Sequence, residues 1–81
     1  MAAPSITIDI SDSERDAILN HVPLAPNIVA RLRFALRTMK SLELTLSGDD
    51  IIDFAEAIEE HLPRIKKRTD ARLVEAVFVR L

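Results

Sequence analysis

Apolar and polar residues alternate strictly in two places along the chain. In Ser5-Ile6-Thr7-Ile8-Asp9-Ile10 the isoleucines fall on one side and Thr7 and Asp9 on the other; in Ser41-Leu42-Glu43-Leu44-Thr45-Leu46 the leucines do the same against Glu43 and Thr45. Period-two alternation marks a strand with one buried face, so two strands are expected. Each is followed by a helix start: Ser11 stands three residues before Glu14, and Ser47 three before Asp50. A hydroxyl there accepts a bond from an orphan amide, and the acid suits the positive helix end. Helices should therefore begin near Asp12 and Gly48. In the second, Ile51, Ala55, Ile58 and Leu62 step by four, three and four, and Asp49, Asp53, Glu56 and Glu60 take the same steps two residues earlier. Two residues rotate a helix by about 200°, which puts the apolar and acidic stripes on opposite faces. Pro23 and Pro63 disfavour helix at the residues before them, so both helices should stop at Val22 and Leu62.

Two further helices are predicted. Ile28, Leu32, Ala35 and Met39 form a stripe that Val29 and Leu36 widen, with Arg33, Arg37 and Lys40 on another side. Phe34 lies about 200° from Leu32 on that helix and needs a neighbour outside its main packing face. Towards the end of the chain, Ala71, Val74, Phe78 and Leu81 fit a helix with Thr69 as its N-cap, while Val77-Phe78-Val79 would also suit a strand. The alternative to a final helix is thus a third strand over 76–81.

The two halves echo one another. Ser5 to Glu14 aligns without a gap on Ser41 to Asp50, an offset of 36; His21-Val22-Pro23 matches His61-Leu62-Pro63, and Ala30-Arg31-Leu32 matches Ala71-Arg72-Leu73. The pattern reads as one domain, 1–81, made of two interleaved repeats, about 5–40 and 41–81, in the order β-α-α-β-α-α. The fold class expected is α+β: a two-stranded ribbon, antiparallel if the halves are related by a pseudo-twofold axis, which is the favoured arrangement, and parallel if a direct right-handed crossover joins the strands, with six Ile and Leu side chains in one layer beneath four helices.

Composition narrows the classes. The chain has 81 residues, 48% hydrophobic and 30% charged, with net charge -2, one Gly and no Cys. This is too apolar and too weakly charged for a disordered chain. Without Cys there is no disulfide framework and no thiolate zinc site, and a reducing cytoplasm is the expected setting. No apolar run reaches the ~20 residues of a membrane span, and Met1-Ala2-Ala3-Pro4 lacks the features of a signal peptide.

Strand, helix, helix, repeated at about 40 residues, resembles a ribbon-helix-helix dimer fused into one chain. The resemblance covers the whole chain as a pattern, and Arg68-Thr69-Asp70-Ala71-Arg72-Leu73 is the nearest approach to the start of that family's second helix. It implies a ribbon whose solvent face would read the major groove of DNA, which requires donors such as Arg, Lys, Asn or Gln. Here those positions are Thr7, Asp9, Glu43 and Thr45. Carboxylates there oppose binding to phosphate-lined DNA, so the family's architecture is expected to carry over and its DNA function is not.

Charge is segregated. Seven acids and no bases lie between Glu43 and Glu60, whereas Arg64, Lys66, Lys67, Arg68 and Arg72 follow against Asp70 alone, and Arg31, Arg33, Arg37 and Lys40 form a second basic group. Such runs either neutralise one another within the fold or present a bipolar binding surface. Acidic Glu59 and Glu60 near a helix C-terminus call for cations from Arg64 to Arg68 or from another chain. The candidate interaction surface is accordingly Arg33, Phe34, Arg37, Lys40, Asp49, Asp53, Glu56, Glu60, Arg64, Lys66, Lys67 and Arg68. His21 and His61 occur at equivalent points, each in a last helical turn where it suits the negative helix end, without the further ligands a metal site needs. No Cys nucleophile, Gly-rich phosphate loop or Ser-His-Asp context is present. The expected function is a noncatalytic, self-associating module that binds a protein partner, a homodimer without cofactor or metal; the alternative is a small DNA-binding regulator of ribbon-helix-helix-like architecture.

Overall fold

A computed structural model describes residues 4–81. Residues 1–3, part of the segment read above as lacking signal-peptide character, lie outside the described residues. The chain runs β1 (Ser5–Ile10), α1 (Asp12–His21), α2 (Pro26–Arg33), β2 (Leu36–Arg37), β3 (Leu42–Ser47), α3 (Gly48–His61), a 3-10 turn (Leu62–Arg64) and α4 (Arg68–Arg80). It is a small α+β fold, four helices and a three-stranded antiparallel sheet of order β1-β3-β2.

Both alternating segments form the expected strands, and they pair antiparallel from Ser5↔Ser47 to Ile10↔Leu42. In this register Ile8 lies opposite Leu44, the residue 36 positions after it. The sheet has three strands where the ribbon was expected to have two. The extra strand is not at 76–81, which continues α4 as far as Arg80, but at Leu36–Arg37, where a helix was expected to run on to Met39. Such a helix would leave only Lys40 and Ser41 to turn the chain into β3. Instead α2 stops at Arg33 with Phe34 as its C-cap, and the segment folds into a hairpin.

Three bonds reward the hairpin. Thr38 N–H donates to Ser41 C=O at 2.8 Å, the Thr38 hydroxyl donates to the same carbonyl, and that hydroxyl accepts from Ser41 N–H at 3.1 Å. Neither Met39 nor Lys40 has a positive φ. The turn is therefore not of the mirror type that matches strand twist, which accounts for β2 pairing over only two residues.

The helices that follow β1 and β3 start as the sequence indicates, and the last helix does not. Ser11 and Glu14 form a full capping box on α1, with Ser11 N–H donating to Glu14 Oε1 at 2.7 Å and Glu14 N–H donating to Ser11 Oγ at 3.1 Å. Ser47 caps α3 through Asp50 N–H. The N-cap of α4 is Lys67, with no side-chain bond, and not Thr69, which lies one residue inside the helix.

All four helices cover one face of the sheet. On that face Ile10, Leu42, Leu44 and Leu46 are buried with Ile18, Ile28, Leu32, Phe54, Ile58, Val74 and Val77. The expected six-residue layer is thus incomplete: Ile8 is half-buried and Ile6 is 52% exposed. The sequence stripe of α3 also lacked its largest fully buried member. Phe54 sits three residues after Ile51 and four before Ile58, on the same face.

Helices α1 and α4 pack against each other antiparallel, and polar contacts hold both ends. His21 in the last turn of α1 donates from Nε2 to Asp70 Oδ2 in the first turn of α4 at 2.8 Å. At the other end Arg80 donates to the buried carboxylate of Glu14 at 2.7 Å and to the Asp9 carbonyl at 2.9 Å. Each group also complements the dipole of its own helix. The Glu14 carboxylate is thereby satisfied by one backbone amide and one guanidinium, which is what permits its burial.

Candidate interaction surface

No element among the described residues covers the face of the sheet turned away from the helices. Strand alternation puts Thr7 and Asp9 of β1, Glu43 and Thr45 of β3 and Leu36 of β2 on it, and the register lines up Asp9, Glu43 and Leu36 across the three strands. Thr7 and Thr45 join through their hydroxyls at 2.8 Å.

The hairpin adds apolar surface beside this face. Phe34 is 85% exposed, Leu36 65% and Met39 fully so. Phe34 and Leu36 line a shallow groove of about 200 Å³ with Arg31, Ala35, Glu43 and Thr45. Met39 lines an adjoining hollow with Asp9, Lys40 and Glu43. Glu43, on the central strand, lines both, so the two hollows that hold these three large apolar side chains meet at one acidic residue. Only Phe34 among them was legible in the sequence; Leu36 and Met39 were expected inside a helical stripe, and the hairpin turns them outward.

Arg37 takes a different direction. It pairs with Leu42 across the sheet and reaches Asp12 at the start of α1 through two bonds, 2.8 and 3.1 Å. That hydrogen-bonded guanidinium, and then its charge with that of Arg15, holds the Asp12 carboxyl below its ordinary value of 3.8. Since the folded value is the lower one, the pair supports the fold above the ordinary carboxylate range and the support is lost as pH falls through the lowered value. In an NMR titration Asp12 is expected to protonate at lower pH than a free aspartate, and Arg37→Gln to move it back towards the ordinary range, with the charge of Arg15 still acting. An Asp12 titration indifferent to that substitution would show the clasp to be absent in solution.

The remaining candidate residues are all exposed and fall into separate groups. Asp49, Asp53, Glu56 and Glu60 form the outward stripe of α3, interrupted by exposed Ile52; Arg64, Lys66, Lys67 and Arg68 cluster where the 3-10 turn meets α4; Arg33 and Lys40 flank the hairpin. Among the described residues no salt bridge joins the acidic stripe to the basic cluster, so the expected mutual neutralisation does not take the form of direct pairs. Glu59 and Glu60 likewise receive no cation from Arg64 to Arg68 among the described residues.

The two histidines differ: His21 is bonded to Asp70, whereas His61 ends α3 without such a contact. No three His, Cys, Asp or Glu side chains converge among the described residues. The contacts His21–Asp70 and Glu14–Arg80 span 49 and 66 residues and leave no local signal in the sequence. No protein-family model matches the chain, and no curated protein or solved structure matches it.

Proposed function

We propose that this chain is a noncatalytic protein-protein interaction module that also self-associates. The observation that carries the reading is the apolar cluster Phe34, Leu36 and Met39, exposed together around Glu43. Single exposed apolar residues are ordinary, whereas a group rimmed by charged residues is how an interaction site looks. Arg31 and Lys40, which line the same two hollows, contribute such a rim, and the exposed acidic stripe of α3 and the exposed basic cluster at the start of α4 would add selectivity. The polar sheet face speaks against DNA: Thr7, Asp9, Glu43 and Thr45 give a basic major-groove reader nothing to work with.

The same reading treats residues 5–40 and 41–81 as two repeats of one domain. It draws on the matched caps Ser11 and Ser47 and on the register that sets Ile8 against Leu44. The halves have diverged where α2, with 8 residues, gives way to the hairpin while α4 runs for 13.

Affinity capture from the native lysate, with a nuclease-treated arm in parallel, is expected to retain a protein partner in both arms. The double variant Phe34→Ser, Met39→Ser is expected to lose that partner while its stability changes by no more than about 0.5 kcal/mol per site, as for other surface substitutions. Retention that disappears with nuclease, or that survives the double variant, would count against the reading.

A further inference from the structure

The geometry points to a particular surface for self-association: we propose that the open edge of β1 pairs with β1 of a second copy, antiparallel about a twofold axis at Thr7, joining two sheets into one of six strands. The proposal rests on the self-association in the reading above and names its interface.

The free edge follows from the bonds that flank the sheet. Gly48 N–H donates to Pro4 C=O at 3.1 Å, one step beyond Ser5↔Ser47 in the same register. Hydrogen-bonded and non-hydrogen-bonded pairs alternate in an antiparallel ladder, so Ile6, Ile8 and Ile10 exchange bonds with β3. The hairpin agrees, because Thr38 bonding Ser41 makes Leu36↔Glu43 a bonded pair and turns Leu42 and Leu44 towards β1. The backbone groups of Ser5, Thr7 and Asp9 therefore point away from β3, and β1 is the outermost strand. One of them is partly engaged, the Asp9 carbonyl, by Arg80.

A long regular strand with a row of free donors and acceptors is a template for another strand. A second copy of β1 fits it in one register. With the axis at Thr7, Ser5 lies opposite Asp9 of the second copy, Thr7 opposite Thr7, and Asp9 opposite Ser5, which uses all three outward residues in about six backbone bonds. Moving the register towards the C-terminal end sets Ser5 against Ser11, whose N–H is already given to Glu14. Centring it on Asp9 sets two carboxylates face to face, which is destabilising.

Side chains favour the same register. On the helix-covered side it brings Ile6 against Ile8 of the second copy in the closer, non-hydrogen-bonded type of pair. Ile6 is the member of its own apolar layer that the chain leaves 52% exposed, and Ile8 is half-buried. On the bare side, each Asp9 carboxylate meets a Ser5 hydroxyl and no like charge.

The chain has no Cys, so single cysteines report the register in the full-length protein. Bonded antiparallel partners have Cα atoms about 5.5 Å apart, within disulfide reach, whereas Ser5 and its own copy would be about 14 Å apart. Thr7→Cys is expected to form a covalent dimer on mild oxidation. Ser5→Cys and Asp9→Cys are each expected to stay monomeric alone and to cross-link when mixed. Thr7→Pro removes an outward N–H that the chain itself does not use and is expected to weaken the dimer at least about tenfold in sedimentation velocity, with the circular dichroism spectrum retained. Ile6→Lys should act in the same direction. A dimer that persists in both variants, or cross-linking of Ser5→Cys alone, would overturn the edge while leaving self-association standing. A chain that is monomeric at every concentration would overturn both, and an edge that takes only a foreign extended peptide would overturn the second copy as its occupant.

Discussion

Cut between Lys40 and Ser41, the chain is expected to yield two peptides, 1–40 and 41–81, that are each unfolded alone and regain the native circular dichroism spectrum when mixed. The reason is that the elements find their partners across the cut. Strand β1 pairs with β3, α1 packs on α4, and Glu14 and His21 meet Arg80 and Asp70. Neither half retains a strand pair, since the cut also divides the β2-β3 hairpin within its turn. A piece of about 40 residues lies near the limit below which a core needs disulfides, metal or association. The absence of Cys removes the first of these. A half that folds cooperatively by itself would show that the interleaving is not required for stability.

Phe54→Ala is expected to destabilise the fold by about 3–5 kcal/mol in urea unfolding, the usual loss for a large aromatic in a packed core. Phe54 has no exposed surface and lies among Ile58, Leu44, Val74 and the rest of the buried cluster under the sheet. A chain of this size has a total stability of about 4–12 kcal/mol, so the loss is a large share and can leave the variant partly unfolded at room temperature. Ile52→Ala, two residues away on the exposed side of α3, serves as the comparison and should change stability by no more than about 0.5 kcal/mol. Equal effects at the two positions would mean that the burial pattern of α3 is wrong.

The exposure of the candidate residues was visible one by one, because solvation follows local pattern. The acidic stripe of α3 and the basic cluster from Arg64 to Arg68 are exposed as their spacing and charge require. What the pattern could not supply was the neighbourhood. Leu36 and Met39 have the spacing of a helical stripe, and helix propensity does not oppose it; the competing hairpin is stabilised by pairing with β3, five to seven residues on, whose own place is fixed by β1, and by Asp12, 25 residues away. The possible strand at 76–81 was decided likewise by packing, since Val74 and Val77 bury one face of α4 beneath the sheet.

The positions of β1 and β3, the two capped helix starts and the stop of α1 before Pro23 are properties of short segments, in which backbone sterics, alternation and capping hydroxyls act within a few residues. The sequence alone determined these, along with the side of each strand that meets the core. At Pro63 the expected stop is only a change of helix type, because Leu62 stays in the right-handed helical region and a 3-10 turn runs on to Arg64. Tertiary structure decided where α2 ends, which residues form the third strand, that Glu14 is buried against Arg80, and that Ile6 is left half-uncovered on an open edge. These depend on contacts between distant parts of the chain, where competing arrangements have similar local energies and the packed whole selects among them.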